Sequence, residues 1–284
     1  MSRARIPDSD LLIIGHRGAS AHAPENTLAA FEQAIAGGAD GVEFDVRLAR
    51  DGVPVVIHDA TLTRTCLRDG LVESLASDEL RALDAGTWFN LRNPALARVD
   101  FAHQRIPTLA QVFARCAARA RALYVELKCD DPSPSAPLAR AVVRLTRERG
   151  LAGRVVVKSF AHGTIAEVKR LAPEIRTAAL FDRKWSRPVV PARRIIAEAE
   201  ACRADEISLH RSLLRRATVG AARARGFGVV VWTADTPFWL RRALALDLRA
   251  VITNRPAEMR AALESLRAAD DARPGRRTLR SKLR

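Results

Sequence analysis

The chain has little of what commonly announces a cofactor or a compartment. Its four cysteines, Cys66, Cys116, Cys129 and Cys202, stand far apart, and none forms a C-x-x-C pair. Neither a cysteine-based zinc site nor a disulfide framework is therefore expected, and a reducing cytoplasm fits. No G-x-G-x-x-G follows the first apolar run, which disfavours a dinucleotide-binding sheet. The apolar run near the start, residues 11–14, is too short for a signal-peptide core, and no stretch approaches a membrane span. The expectation is a cytoplasmic protein with no integral membrane segment. Aromatic residues make up only 5% of the chain, so Ala, Leu, Val and Ile must fill most of a core drawn from 48% hydrophobic residues. Lysine is scarce too: five lysines stand against 42 arginines. With so many alanines, that bias fits a GC-rich coding sequence better than selection for phosphate binding. The net charge of +15 therefore does not by itself call for a nucleic-acid partner.

What is present is a rhythm. Eight short apolar runs, at 11–15, 41–46, 122–128, 154–160, 175–181, 206–210, 228–233 and 250–254, alternate with amphipathic segments. Several of these segments open on Pro and close on Gly, as helices prefer. Eight β-then-α units predict a (β/α)8 TIM barrel, with an open doubly wound sheet as the competing arrangement. The run at 53–58 follows an Asp-Gly turn signal and reads as a hairpin partner of the second strand. Residues 59–107 hold no βα unit and read as a small insertion after the second strand. One domain over 1–271 is expected. Beyond it, residues 272–284 carry six basic residues and no acid. They read as a disordered tail, with weak contact to an anionic surface as the sharper alternative.

Polar residues gather where the predicted strands end, and in a barrel those ends share one face. His16 and Arg17 follow the first strand. Glu43 and Asp45 lie at i and i+2 on the second, so they point to the same side. Glu126 and Lys128 repeat that spacing on the next strand. Ser159, Phe160, His210 and Trp232 close later ones, and Trp232 suits either core or a wall against a substrate. Three carboxylates at one mouth repel unless a cation neutralises them, and an all-oxygen set suits Mg²⁺ or Ca²⁺ rather than zinc. His22, His103 and His162 have no such company and read as structural or surface residues. Asn26 reads as the N-cap of the first helix.

With these residues in view, the sequence resembles the glycerophosphodiester phosphodiesterase family. The resemblance rests on "GHRGASAHAPENTLAAFEQAIAGGADGVEFDVRLARDGVPVVIHD", "IPTLAQVF", "YVELK", "KSF", "VVVWTAD" and "VITNRP", in the family's order over roughly residues 12–257. It implies a TIM barrel and metal-dependent hydrolysis of a small glycerophosphodiester to sn-glycerol 3-phosphate and an alcohol. By motif match, His16 and His58 correspond to acid–base histidines, and Glu43, Asp45 and Glu126 to metal ligands. Arg17 and Lys128 correspond to phosphate-holding positions, and Phe160 and Trp232 to pocket-lining ones. Asn254 stands where an aspartate is usual, a change expected to alter local hydrogen bonding without removing activity. Residues 182–192 and 272–284 match no family segment. The competing readings are a related barrel phospholipase of the sphingomyelinase D kind, which the "PENT" segment disfavours, and a non-catalytic anion-binding protein.

Overall fold

The computed structural model describes residues 11–129, 136–183 and 190–271. The predicted tail at 272–284 lies outside them. The chain runs β1 (Leu12–His16), α1 (Leu28–Ala36), β2 (Gly41–Leu48) and β3 (Pro54–Val56). An excursion with α2 (Thr63–Cys66), α3 (Ser77–Arg81) and α4 (Thr87–Arg92) follows. Then come α5 (Leu109–Cys116), β4 (Ala122–Leu127), α6 (Ala136–Glu148), β5 (Val155–Ser159), α7 (His162–Leu171) and β6 (Arg176–Phe181). The last third holds α8 (Ala192–Ala201), β7 (Glu206–His210), α9 (Arg216–Ala224), β8 (Gly228–Trp232), α10 (Pro237–Ala245), β9 (Ala250–Thr253) and α11 (Pro256–Asp271).

Eight of the strands are parallel, and the pairing of β1 with both β2 and β9 closes them into a barrel. β3 is the antiparallel partner of β2, so the hairpin read from "RDG" forms as expected. The open doubly wound sheet is excluded by that closure. Alternation along each strand then sorts side chains into two cores. Val42, Phe44 and Val46 of β2 and Leu123, Val125 and Leu127 of β4 face outward and pack with the helices. Leu12, Ile14, Tyr124, Val156, Ala178, Val230 and Ile252 fill the barrel interior. Towards the N-terminal ends of the strands the interior holds a polar pair, the Tyr124 hydroxyl donating to Glu206 Oε2 at 2.9 Å. Burial pushes the Glu206 carboxyl up.

The excursion after β3 has a small core of its own, including Leu62, Val72, Leu80 and Ile106. A second cluster, Trp88, Phe89 and Phe101 with Ala23 and Ala30, ties it to α1. Three of the chain's fourteen aromatic residues therefore help fasten the insertion to the barrel. Cys116 and Cys202 are buried and all four cysteines are free, as packing residues should be. No helix among the described residues is long and apolar enough to cross a membrane.

Candidate active site

The inner face of the barrel continues past its apolar layer into a charged one. Register decides which charges meet. His16 is paired with Glu43 across β1 and β2. Asp45 is paired with Glu126 across β2 and β4, and Glu126 with Lys158 across β4 and β5. Glu43 and Asp45 lie inside β2 rather than at its end, because the hairpin with β3 extends the strand to Leu48. Both are buried, as is Glu126, and one ligand oxygen from each of the three lies within 4.8 Å of the others.

The repulsion expected among these acids is relieved differently from the sequence expectation. Three side-chain cations already stand among them. Lys158 Nζ donates to Glu43 Oε1 at 2.7 Å and lies 3.6 Å from Glu126 Oε2. Lys128 Nζ donates to Glu126 Oε1 at 2.6 Å and sits 3.0 Å from Asp45 Oδ1. Arg17 Nε is 3.1 Å from Asp45 Oδ2. Burial alone would push the Glu43 and Asp45 carboxyls up. The charge of Lys158 outweighs it at Glu43, and those of Lys128 and Arg17 at Asp45, so both stay ionised below the usual range. Charge repulsion therefore does not by itself demand a metal. The donor set still fits one: three carboxylate oxygens converging within 4.8 Å of one another suit a hard divalent cation.

Lys158 is not among the residues that the predicted strand ends point to, because it lies one residue inside the end of β5. The available signal was compositional and periodic. It is one of five lysines in an arginine-rich chain, two residues beyond Val156 on the inward side of β5. Asn26 is not the N-cap of α1. Thr27 caps α1 by accepting from the Ala30 N–H. Asn26 instead takes a left-handed backbone, φ 58°, and its amide donates to Asp45 Oδ2 at 2.8 Å. An N-cap and a carboxylate clamp look alike in sequence because both use a short polar side chain before a helix.

The "HRG" turn is shaped by the same cluster. Arg17 has φ 53°, uncommon for a residue with a side chain. Its N–H donates to Glu43 Oε2 at 3.1 Å and its Nη1 to Glu25 Oε1 at 2.8 Å, contacts that hold the conformation. Gly18 follows at φ 85°, and a Cβ there would lie 2.5 Å from the Ala30 backbone. Glycine thus lets α1 close on the turn.

The two sequence-predicted histidines both reach this mouth. His16 Nε2 is 3.9 Å from Glu43 Oε2, and its Nδ1 is 2.7 Å from Asn254 Oδ1. His58 follows β3, whose Val56 pairs with Val46 next to Asp45 on β2. Its Nδ1 is 2.6 Å from Asp59 Oδ1. Burial raises the Asp59 carboxyl, but hydrogen bonds from Arg64 and His58 outweigh this and hold it at about 2. Arg64 in turn bridges Asp59 to both oxygens of Glu25, and Glu25 meets Arg17. A continuous ion network therefore joins the two halves of the long first motif. Asp59, Arg64 and Glu25 carry no local sequence signal, because their value lies in contacts up to 39 residues apart.

Phe160, half-exposed beyond β5, packs edge-on against Trp232 with centroids 5.7 Å apart. His210 lies 5.2 Å from the same Trp232 ring. Two of the histidines read as structural or surface residues have their contacts elsewhere: His22 pairs with Glu258 and His162 with the Leu180 carbonyl. A cavity of about 290 Å³ is lined by His16, Arg17, Ser20, Glu25, Asp235 and Asn254.

A closed parallel barrel whose C-terminal mouth unites an acidic triad, cationic side chains and two oriented histidines defines a barrel hydrolase for a charged substrate. The comparisons make the class specific. The model of the glycerophosphoryl diester phosphodiesterase family matches residues 16–258. A glycerophosphodiester phosphodiesterase of Caldanaerobacter subterraneus subsp. tengcongensis is 32% identical over 250 residues, covering 86% of this chain and 94% of that protein. The crystal structure of a glycerophosphodiester phosphodiesterase from Agrobacterium tumefaciens superposes with a TM-score of 0.73 at 32% identity, over 88% of this chain and 99% of that one. A phosphodiesterase from Oleispira antarctica, solved in complex with the product sn-glycerol 3-phosphate, superposes with a TM-score of 0.78 at 27% identity, over 89% and 96%. The chain belongs to the glycerophosphoryl diester phosphodiesterase family. It is a phosphoric diester hydrolase.

Proposed function

We propose that the chain hydrolyses small glycerophosphodiesters to sn-glycerol 3-phosphate and an alcohol, using Mg²⁺ or Ca²⁺ held by Glu43, Asp45 and Glu126. The observation that carries this reading is the convergence of three buried carboxylate oxygens within 4.8 Å beneath two histidines that each have an oxygen partner on Nδ1. The product bound to the Oleispira antarctica relative supports glycerol 3-phosphate as the released half. When bound, the cation would supply Lewis-acid stabilisation to the phosphoryl oxygens. Arg17 and Lys128 bring positive charge to the same mouth and would hold those oxygens as charge builds in the transition state. Burial opposes the charge on Lys128, but Asp45 and Glu126 outweigh it and keep the ammonium protonated.

His16 and His58 are the proton carriers of this reading. One takes a proton from the attacking hydroxyl or water, and the other delivers one to the leaving alkoxide. Imidazole suits both tasks near neutral pH. The Phe160–Trp232 edge would line the head-group side of the pocket.

The test is release of glycerol 3-phosphate from glycerophosphocholine by the purified protein. Release should stop with EDTA and return with Mg²⁺ or Ca²⁺. No release with any cation, from this or other head groups, would contradict the reading. Glu43→Gln should weaken cation binding and turnover together, since it removes an ionised ligand. Calorimetry showing unchanged cation affinity would remove Glu43 from the ligand set.

A further inference from the structure

The two histidines are held by different means. His58 has a carboxylate directly on Nδ1, whereas His16 has an amide, and an amide can present either an oxygen or an NH₂ group. Something else must decide which end of Asn254 faces His16. Asp235, on the loop after β8, supplies the decision. Its Oδ1 accepts from the Asn254 backbone N–H at 2.7 Å and from the Thr253 hydroxyl at 2.9 Å. Its Oδ2 accepts from Asn254 Nδ2 at 2.7 Å. A carboxylate here only accepts, so the NH₂ end of Asn254 must turn towards it. Asn254 Oδ1 is thereby directed at His16 Nδ1 and at the Ser20 hydroxyl, 2.8 Å away.

We infer that Asp235 is a positioning residue that acts through Asn254 to fix the tautomer of His16. With an oxygen facing it, Nδ1 of the neutral ring must carry the proton, and Nε2 is left bare. Nε2 is also the nitrogen nearer Glu43. Whichever leg of the proton transfer His16 serves, Nε2 is then the atom that exchanges the proton. The inference rests on the proton-carrier role of His16 proposed above.

The Asp235→Asn substitution tests it, because hydrogen-bond logic dictates the outcome. The Asn254 backbone N–H is an obligate donor, so it keeps the oxygen of the new amide at the Oδ1 place. The new NH₂ then faces the NH₂ of Asn254, and Asn254 must turn over. His16 Nδ1 would now face a donor, and the neutral ring would carry its proton on Nε2. The double substitution Asp235→Asn with Asn254→Asp reverses this. The new amide donates to the new carboxylate, which again accepts from His16 Nδ1.

The measurement is nitrogen NMR of histidine-labelled protein, with the His16 signals identified by their loss in His16→Ala, alongside kcat and KM. In the unsubstituted protein, neutral His16 should show a protonated Nδ1 and a bare Nε2. In Asp235→Asn the pattern should invert, and kcat should fall by about 10²-fold or more with KM little changed, as for a catalytic histidine in the wrong tautomer. The double variant should restore the original pattern and most of the lost turnover. A bare Nδ1 in the unsubstituted protein would overturn the inference, whether or not any variant folds. So would an unaltered His16 pattern in a folded Asp235→Asn. An inverted pattern with undiminished turnover would support the relay and overturn the proton-carrier role beneath it, so the two failures separate.

Discussion

His16→Ala and His58→Ala should each lower turnover of glycerophosphocholine by about 10²- to 10⁴-fold, the usual worth of one positioned acid or base. The structure gives reasons to expect folded variants. Removing His16 leaves Asn254 Oδ1 with the Ser20 hydroxyl and Asn254 Nδ2 with Asp235. Removing His58 leaves Asp59 paired with Arg64. Neither ring fills the apolar interior, which is built from residues such as Ile14, Tyr124 and Ile252. The loss should fall on kcat and kcat/KM alike, because the proton moves only in the transition state. The double variant should be little worse than the poorer single one, since the two rings act on one reaction coordinate. Thermal melts near wild type beside near-normal rates in either single variant would remove that histidine from the mechanism.

The second large effect is on stability. Lys158 and Glu43 form an ion pair with side-chain exposures of 2% and 0%. Lys158→Met keeps most of the volume and removes the charge, leaving Glu43 buried without its closest cation. Breaking a buried pair from one side costs about 3–5 kcal/mol, because the remaining charge has lost its compensation. Denaturant unfolding in EDTA should show a loss of that order. Saturating Mg²⁺ should recover much of it, since a cation bound by Glu43, Asp45 and Glu126 in the folded state adds stability by mass action. A loss below about 1 kcal/mol, the range of an exposed pair, would mean that Lys158 contributes no more than a surface contact. A full loss that no divalent cation reduces would count against a cation at the triad. Lys158→Arg is not an equivalent control, because a forked guanidinium does not fit where a point charge sits between two carboxylates.

Much of this site was legible because strand periodicity is local. Every second residue of a strand faces the same way, so E-x-D at 43 and 45 and E-x-K at 126 and 128 announce shared directions without any knowledge of their neighbours. The alternation of apolar runs with amphipathic segments likewise announced the eight βα units, and the Asp-Gly pair announced the β2–β3 hairpin. Asn26 shows the limit of this local grammar: capping and clamping use the same residue type beside a helix start, and Thr27 is the residue that caps α1.

The sequence by itself thus determined the strands, their inward faces and the chemical types at the mouth. Which charge meets which was decided by tertiary structure, since partners depend on register and on barrel closure rather than on spacing. Lys158 reaches Glu43 across 115 residues, and Asn254 reaches His16 across 238 because β9 closes against β1. Hydrogen bonds and ion pairs act over a few ångströms, so only the fold can bring such groups within range. It is also what turned an expected repulsion among three acids into a cluster balanced by Arg17, Lys128 and Lys158.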